Sequence, residues 1–455
     1  MKIFAIFSFL GMTGLLMLLV SVVNPPAAQA VPSYARQTGL ACNACHYTPP
    51  ELNPAGRRFK MLGYVDRADD TKAVHSDAGK KHAALDLLAS LPLSLMFETS
   101  YTQTKKVVPG TQNGTFEFPQ DVSLFLSGAW TEHVGSFVQV TYDTQDDHFT
   151  MDNTDVRYAR LKKLNGKEFV VGLDLNNNPG VEDLWNSTPA WGFPWIADDF
   201  APTPNASPIV NGNLGQDVAG FGAYAMYDNH LYFDAALYRS AHIAVGQPNP
   251  GTELTYNIRG LAPYWRLAWQ QSGAKTQFEI GTYGMHVRTT PLGITGASDT
   301  YNDIAFDTQI DQTIRRTDVL SFRGTYIREN SDLAASAAMA TPGALFRTHH
   351  LNTLLANAEY HFGNRFTTTL GWFGTSGTAD AALYPVTGDL AGNFNGDPNS
   401  RGYIISTSYW PYQNIQLGAQ YTGYTRFNGA STNYDGNGRN ASDNNTFYLV
   451  ARFLF

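Results

Sequence analysis

From Leu91 to the terminal Phe455 the chain repeats one pattern, in which apolar and polar side chains alternate over stretches of roughly ten residues or more before a turn. Leu91, Leu93, Leu95 and Phe97 alternate with Ser94, Met96 and Glu98. Leu231, Phe233, Ala235 and Leu237 alternate with Tyr232, Asp234 and Tyr238, and Ile415, Leu417, Ala419 and Tyr421 with Asn414, Gln416, Gln420 and Thr422. A period of two with one apolar face describes a strand buried on one side. In a sandwich that face meets a second sheet; in a membrane barrel it meets lipid, and the polar face lines a lumen.

Three features select the barrel. The strands are long for a soluble sandwich. Tight turns at Asn165-Gly166, Asp228-Asn229, Ser272-Gly273 and Gly363-Asn364 alternate with longer connections, the longest over 176–215, and short turns at one end with long loops at the other mark outer-membrane barrels. The chain then ends on Phe447, Leu449, Ala451, Phe453 and Phe455 along one face, a terminal aromatic strand like the sorting signal of such barrels. Composition agrees: 15% of residues are charged and 13% aromatic, where soluble proteins carry about a quarter charged residues. Past residue 30 no apolar run reaches the ~18 residues of a membrane helix, which excludes a polytopic helix bundle. The expected fold is all-β: a transmembrane antiparallel outer-membrane β-barrel of about 16 strands. The expected strand starts lie near residues 91, 120, 133, 152, 167, 216, 229, 261, 274, 300, 317, 347, 365, 400, 413 and 445. An even count puts both ends of the barrel on the short-turn side, so the N- and C-termini are expected in the periplasm.

The first 30 residues read as an export signal. Lys2 precedes an apolar run over 3–23, Asn24-Pro25-Pro26 breaks it, and Ala28-Gln29-Ala30 has the small-x-small form of a cleavage site. The rival reading is an uncleaved anchor, since the run is long enough to span a bilayer. The organisation expected is a signal peptide at 1–30, a small, partly helical haem segment at 31–90 and the barrel at 91–455. Lys and Arg number 31 against 39 Asp and Glu, a net charge of −8, which argues against a nucleic-acid partner.

One motif is sharp. Cys42-Asn43-Ala44-Cys45-His46 has the C-x-x-C-H spacing of c-type haem attachment, in which two thiols bond the vinyl groups and the adjacent histidine ligates iron. These are the only two cysteines. A Cys42–Cys45 disulfide, a thioredoxin-like pair and a zinc site are the other readings. The redox pair lacks a βαβ context, and zinc lacks a second ligand pair. One covalent haem c is therefore the expected cofactor. A segment of about 60 residues cannot both cover a haem and build its own core, so it is expected to lodge inside the barrel or at its mouth. Short helices are expected over 55–65 and 83–88.

His46 is the expected proximal iron ligand. The sixth position is open: Met61, His75 and His82 each have suitable chemistry, though Met61 could equally pack on the haem edge and the histidines sit in a polar, lysine-bearing stretch. Arg57, Arg58 and Lys60 could pair with anionic haem propionates or contact acidic lumen residues. Asp146, Asp147, His148 and Asp152 are expected in one external loop, and Glu182, Asp183, Asp198 and Asp199 in the longest one. Such groups suit Fe(II) and concentrate cations, but external loops are commonly charged. Trp185, Trp191 and Trp195, with Pro189 and Pro194, are too apolar for a free loop and are expected to fold inward or cap the rim.

The motif and the barrel together resemble the fused monohaem cytochrome–porins, whose best-known members are outer-membrane iron oxidases of iron-oxidising bacteria. The resemblance is carried by Ala35-Arg36-Gln37-Thr38-Gly39-Leu40, by the haem motif, by Leu52-Asn53-Pro54-Ala55-Gly56-Arg57-Arg58-Phe59-Lys60 and Gly63-Tyr64, and by Asn176-Asn177-Asn178-Pro179-Gly180-Val181 with Trp185-Asn186-Ser187-Thr188-Pro189-Ala190-Trp191-Gly192-Phe193-Pro194. It implies that extracellular Fe(II) supplies electrons, that they pass through the haem, and that a periplasmic c-type cytochrome receives them, an iron:cytochrome c oxidoreductase activity in a barrel bounded by outer-membrane lipid. The same parts would serve electron export to extracellular acceptors, or a solute porin with a haem-bearing plug.

Overall fold

The computed structural model describes residues 32–66, 73–74, 87–88, 92–108, 110–144, 147–187, 201–241, 257–291, 297–341, 343–363, 365–385 and 392–455. Sixteen antiparallel strands close into a barrel, from β1 (Leu93–Thr104) to β16 (Thr446–Leu454). Each strand pairs with its sequence neighbours, and β16 closes the ring on β1 from Thr446↔Thr104 to Leu454↔Met96. Closure leaves no sheet edge, as a strand structure in lipid requires.

The side chains alternate as the sequence predicts. On β7 (Leu231–Ser240) Leu231 and Phe233 are 47% and 50% exposed, while Tyr232 and Asp234 between them are 0% and 1%. An apolar outer belt and a polar interior define a barrel of outer-membrane type. Connections 130–133, 165–166, 228–230, 273–275, 314–318, 363–365 and 413–414 are short and share one end. The long connections lie at the other end, with 144–147 the short exception there.

Two expected starts move. The second strand, β2 (Thr115–Ala129), runs through Pro119 and starts before 120, and β4 (His148–Leu164) begins at His148, so His148 and Asp152 belong to a strand and not to a loop. Leu87–Leu88, expected to be helical, instead pairs as a short strand with Ala73–Val74. The signal at 1–30, His75, His82, Asp146, Trp191, Trp195, Asp198 and Asp199 lie outside the described residues.

Two stretches of chain enter the lumen. The first is the N-terminal segment, with α1 (Pro32–Thr38) and α2 (Pro54–Met61). Gln37, buried on α1, accepts from the Ala129 amide at 2.8 Å and donates to the Tyr64 carbonyl at 2.7 Å, which ties both ends of the segment to β2. Tyr34 stacks on Tyr64 at 5.5 Å and meets Phe59 edge-on at 5.0 Å. The second is the connection after β5 (Lys167–Asn176), described over 177–187 and 201–217, which opens with α3 (Pro179–Glu182). Its Ile209, Val210 and Leu214 form an apolar cluster with Tyr238, Tyr264 and Tyr283 of the inner wall. Glu182, Asp183 and Trp185 are buried there, at 0%, 1% and 4% exposed. Glu182 and Asp183 of the longest connection therefore turn inward, where an external loop was expected to hold them.

Candidate functional site

The residues of the C-x-x-C-H run form a tight turn before α2. The amides of Cys45 and His46 both donate to the Cys42 carbonyl, at 3.1 and 2.9 Å. Asn53 caps α2 by accepting from the Ala55 and Gly56 amides at 2.9 and 3.0 Å, and Pro54 supplies the first turn. Gly56 faces the motif so closely that a Cβ there would stand 2.1 Å from the Cys45 carbonyl oxygen. Only glycine lets α2 pack against the turn.

Cys42, Cys45 and His46 all line one cavity of about 1630 Å³, open space at its mouth included. Its interior proper is about 290 Å³, close to the lower end of the roughly 300–1,000 Å³ of ordinary cofactor and ligand pockets. The cavity extends from Trp410, beside the short connection 413–414, to Asp152, Val181 and Asn186 towards the long-loop end. Phe125 and Phe137 give it an apolar wall, and Lys60 and Arg452 are cations on it. No disulfide joins the two cysteines, and the Cys42 sulfur lies 3.7 Å from the Gln413 carbonyl oxygen.

The histidine is set for ligation. Its Nδ1 donates to the Glu51 carbonyl at 3.1 Å, which fixes the tautomer and leaves Nε2 as the lone-pair nitrogen. His46 is half-buried by accessible surface, and protein surrounds the ring. Burial pushes its pKa down to about 4, against the smaller upward pull of the backbone bond, so the imidazole is neutral, the form that binds metal. Two unbridged thiols and a neutral imidazole on one wall, with apolar side chains facing them, fit a covalently held haem.

Three predicted residues do not reach this cavity. Met61 is buried in a cluster with Val170, Leu184, Tyr224 and Tyr232 and is absent from the cavity lining; its position on α2 turns it towards the barrel wall. Arg58 is ion-paired with Glu168 at the start of β5. Arg57 is buried and donates to the Leu52 carbonyl at 2.9 Å. Neither arginine lines the cavity. Lys60 does, with its ammonium tied to the Val181 and Asp183 carbonyls, the latter at 3.0 Å, and burial lowers its pKa to about 8. Among the described lining residues the one methionine is Met96, on β1. The sequence had placed Met96 only as an inward-facing member of an alternating strand.

The segment is clamped on its other side by a buried charge network. Glu51 pairs with Arg323 of β11 (Val319–Asp332), and Arg323 also reaches Glu359 of β12 (Thr348–Phe362) at 3.2 Å. Beside them Tyr47 stacks on His361 at 5.3 Å.

The chain matches no protein-family model and no curated protein. Among solved structures it is similar to the outer-membrane-expressed OmpT of Vibrio cholerae, at 11% identity and a TM-score of 0.43, covering 84% of this chain and 100% of that one. It is also similar to the outer-membrane channel DcaP of Acinetobacter baumannii, at 10% identity and a TM-score of 0.45, covering 80% and 96%. The strand order, the lipid-facing belt and the polar lumen define a porin-like outer-membrane barrel on their own terms.

Proposed function

We propose that this protein carries electrons across the outer membrane through one haem c held in the barrel lumen, from extracellular Fe(II) to a periplasmic c-type cytochrome, as its resemblance to the cytochrome–porin fusions implies. The observation that carries the reading is that Cys42, Cys45 and His46 line a single cavity inside a closed barrel. Cys42 and Cys45 would hold the haem through their sulfurs, and His46 Nε2 would be the iron ligand. Bound haem supplies a one-electron couple, which neither the lipid nor the strands possess. Phe125 and Phe137 exclude water from part of the cavity, and Arg452 and Lys60 are the cations that propionates could meet. By the rule that outer-membrane barrels keep short turns in the periplasm, the Trp410 end would face the periplasmic partner and the long loops the donor.

A solute porin with a haem-bearing plug is the other reading, favoured by the barrel architecture alone. Packing of Pro202 on Tyr424 and of Ile209, Val210 and Leu214 on the facing inner wall opposes it. Anaerobic stopped-flow mixing of the purified, haem-loaded protein with Fe(II) tests the proposal. Growth of the ferrous haem spectrum is expected. A haem that dithionite reduces and Fe(II) does not, in a protein that conducts small solutes in planar bilayers, would reverse the choice.

The methionines give a second check. Met61→Leu is a volume-conserving swap costing below about 1.5 kcal/mol and is expected to leave the ferric and ferrous haem spectra unchanged. Met96→Leu removes the thioether from the cavity wall and is expected to shift them. The opposite pair of results would show that Met61, and not Met96, faces the iron.

A further inference from the structure

Three carboxylates converge outside the haem cavity. Asp174 on β5, Glu182 on α3 and Asp234 on β7 each offer an oxygen, and these oxygens lie within 4.8 Å of one another. All three residues are buried, at 1%, 0% and 1% exposed. Strand alternation turns both aspartates inward, and the infolding of 177–187 brings Glu182 beside them.

Each carboxylate has one oxygen held by a donor and one that meets none. Asn176 Nδ2 donates to Asp174 Oδ1 at 2.9 Å and to Glu182 Oε2 at 3.1 Å. Tyr238 also donates to Glu182 Oε2, and Tyr232 donates to Asp234 Oδ2 at 2.7 Å. The remaining oxygens, Asp174 Oδ2, Glu182 Oε1 and Asp234 Oδ1, are buried and meet no N–H or hydroxyl donor; Glu182 and Asp234 contact each other carboxyl to carboxyl. Amide and phenol donors that orient ligating oxygens are the outer shell a metal site uses.

Charge points the same way. Among the described residues no Lys, Arg or His forms a salt bridge with any of the three; the nearby Arg157 pairs with Asp155, and Arg266 with Asp183, Glu279 and Asp307. Buried carboxylates without a counter-ion are costly.

We propose that Asp174, Glu182 and Asp234 bind a divalent cation, and that this is where Fe(II) is held before it is oxidised. An all-oxygen, all-carboxylate set selects hard divalent ions such as Mg²⁺, Ca²⁺, Mn²⁺ and Fe²⁺. The choice of Fe(II) rests on the electron-transfer reading; the cation site does not. Glu182 directly follows Val181, which lines the cavity together with Cys45 and His46. In that reading the bound Fe(II) gives up one electron and leaves as Fe(III), and ferric haem in the cavity takes the electron to become ferrous. Asn176, Tyr232 and Tyr238 are positioning residues.

Mn(II), redox-inert here and visible by electron paramagnetic resonance, is the probe. Titrated into the full-length, haem-loaded protein in detergent, it is expected to bind at one high-affinity site per chain. Glu182→Gln and Asp234→Asn should each weaken that binding at least ~10-fold, and Tyr232→Phe by ~10-fold, the lower end for outer-shell losses. Haem spectra and heat-modifiable migration should stay as in the parent; if Asp234→Asn fails to fold, Glu182→Gln and Tyr232→Phe decide the matter. Absence of the site in the parent, or equal affinity in the variants, overturns the proposal. If Mn(II) binds as expected while Fe(II) fails to reduce the haem, the electron-transfer reading falls and the cation site stands. If Mn(II) does not bind and Fe(II) reduces the haem at the same rate in the parent and in Glu182→Gln, the cation site falls and the electron-transfer reading stands.

Discussion

His46→Ala and Cys45→Ser are expected to abolish Fe(II)-dependent haem reduction while a heat-modifiable barrel still assembles. The barrel's hydrogen bonds are complete within its own ring: each of the sixteen strands pairs on both sides, and β16 closes on β1 without help from the N-terminal segment. His46 takes part in one backbone bridge, to Leu52, and one side-chain bond, to Glu51, both inside the segment. In the proposed reading, losing the imidazole removes the iron ligand and leaves the strands untouched, and losing Cys45 removes one of the two thioethers. Haem staining after denaturing electrophoresis, beside the shift between unheated and boiled samples, reads both effects. A variant with no heat-modifiable species would show that the haem segment is needed for barrel folding.

Arg323→Met is expected to release the N-terminal segment from the wall. Arg323 is the counter-charge shared by Glu51 and Glu359, and all three side chains are buried. Burial pushes the Glu51 carboxyl up, and Arg323 is the largest influence holding it down. Without the guanidinium two carboxylates face each other in the interior, a loss of about 3–5 kcal/mol for one broken buried pair. The cost falls on the segment, because Glu51 is the partner that can leave and Glu359 sits within a paired strand. Its carbonyl also holds the His46 ring, so haem ligation should loosen with it. Trypsin is expected to cut after Arg57 or Arg58 in Arg323→Met and not in the parent, with the barrel core resistant in both. Equal resistance in the two proteins would show that the helix contacts to β1 and β2 hold the segment by themselves.

The barrel was legible because its signal is local. Alternation along one strand reports which face meets lipid whatever the neighbouring strand is, so Tyr232 and Asp234 could be assigned inward from the sequence of β7 alone. The tight turns at 165–166 and 228–230 were readable because they need residues that tolerate positive φ, here Asn165 and Gly166, Asp228 and Asn229. Strand β2 starts at Thr115, ahead of the expected start near 120: Pro119 cannot donate to a ladder, yet the strand runs through it with Phe116 and Phe118 exposed on its outer face. The C-x-x-C-H run was legible for the same local reason: two thiols and an imidazole within one turn.

What the sequence by itself determined is thus the class of wall, the approximate number of strands, and the C-x-x-C-H run on which the proposed haem site rests. What only the tertiary structure decided is which distant groups share a space. Met61 and Met96 offer the same sulfur, and the direction of α2 puts one in the wall packing and the other on the cavity. Arg58 is spent on Glu168, far along the chain. Asp234 reads as an inward strand position and Glu182 as a loop acid; ring closure and the infolding of 177–187 bring them together with Asp174, which nothing in the sequence singles out. Alternation fixes which way a side chain points but carries no information about what stands opposite, because that depends on strand order around the ring and on where the apolar residues of a loop find a surface to cover.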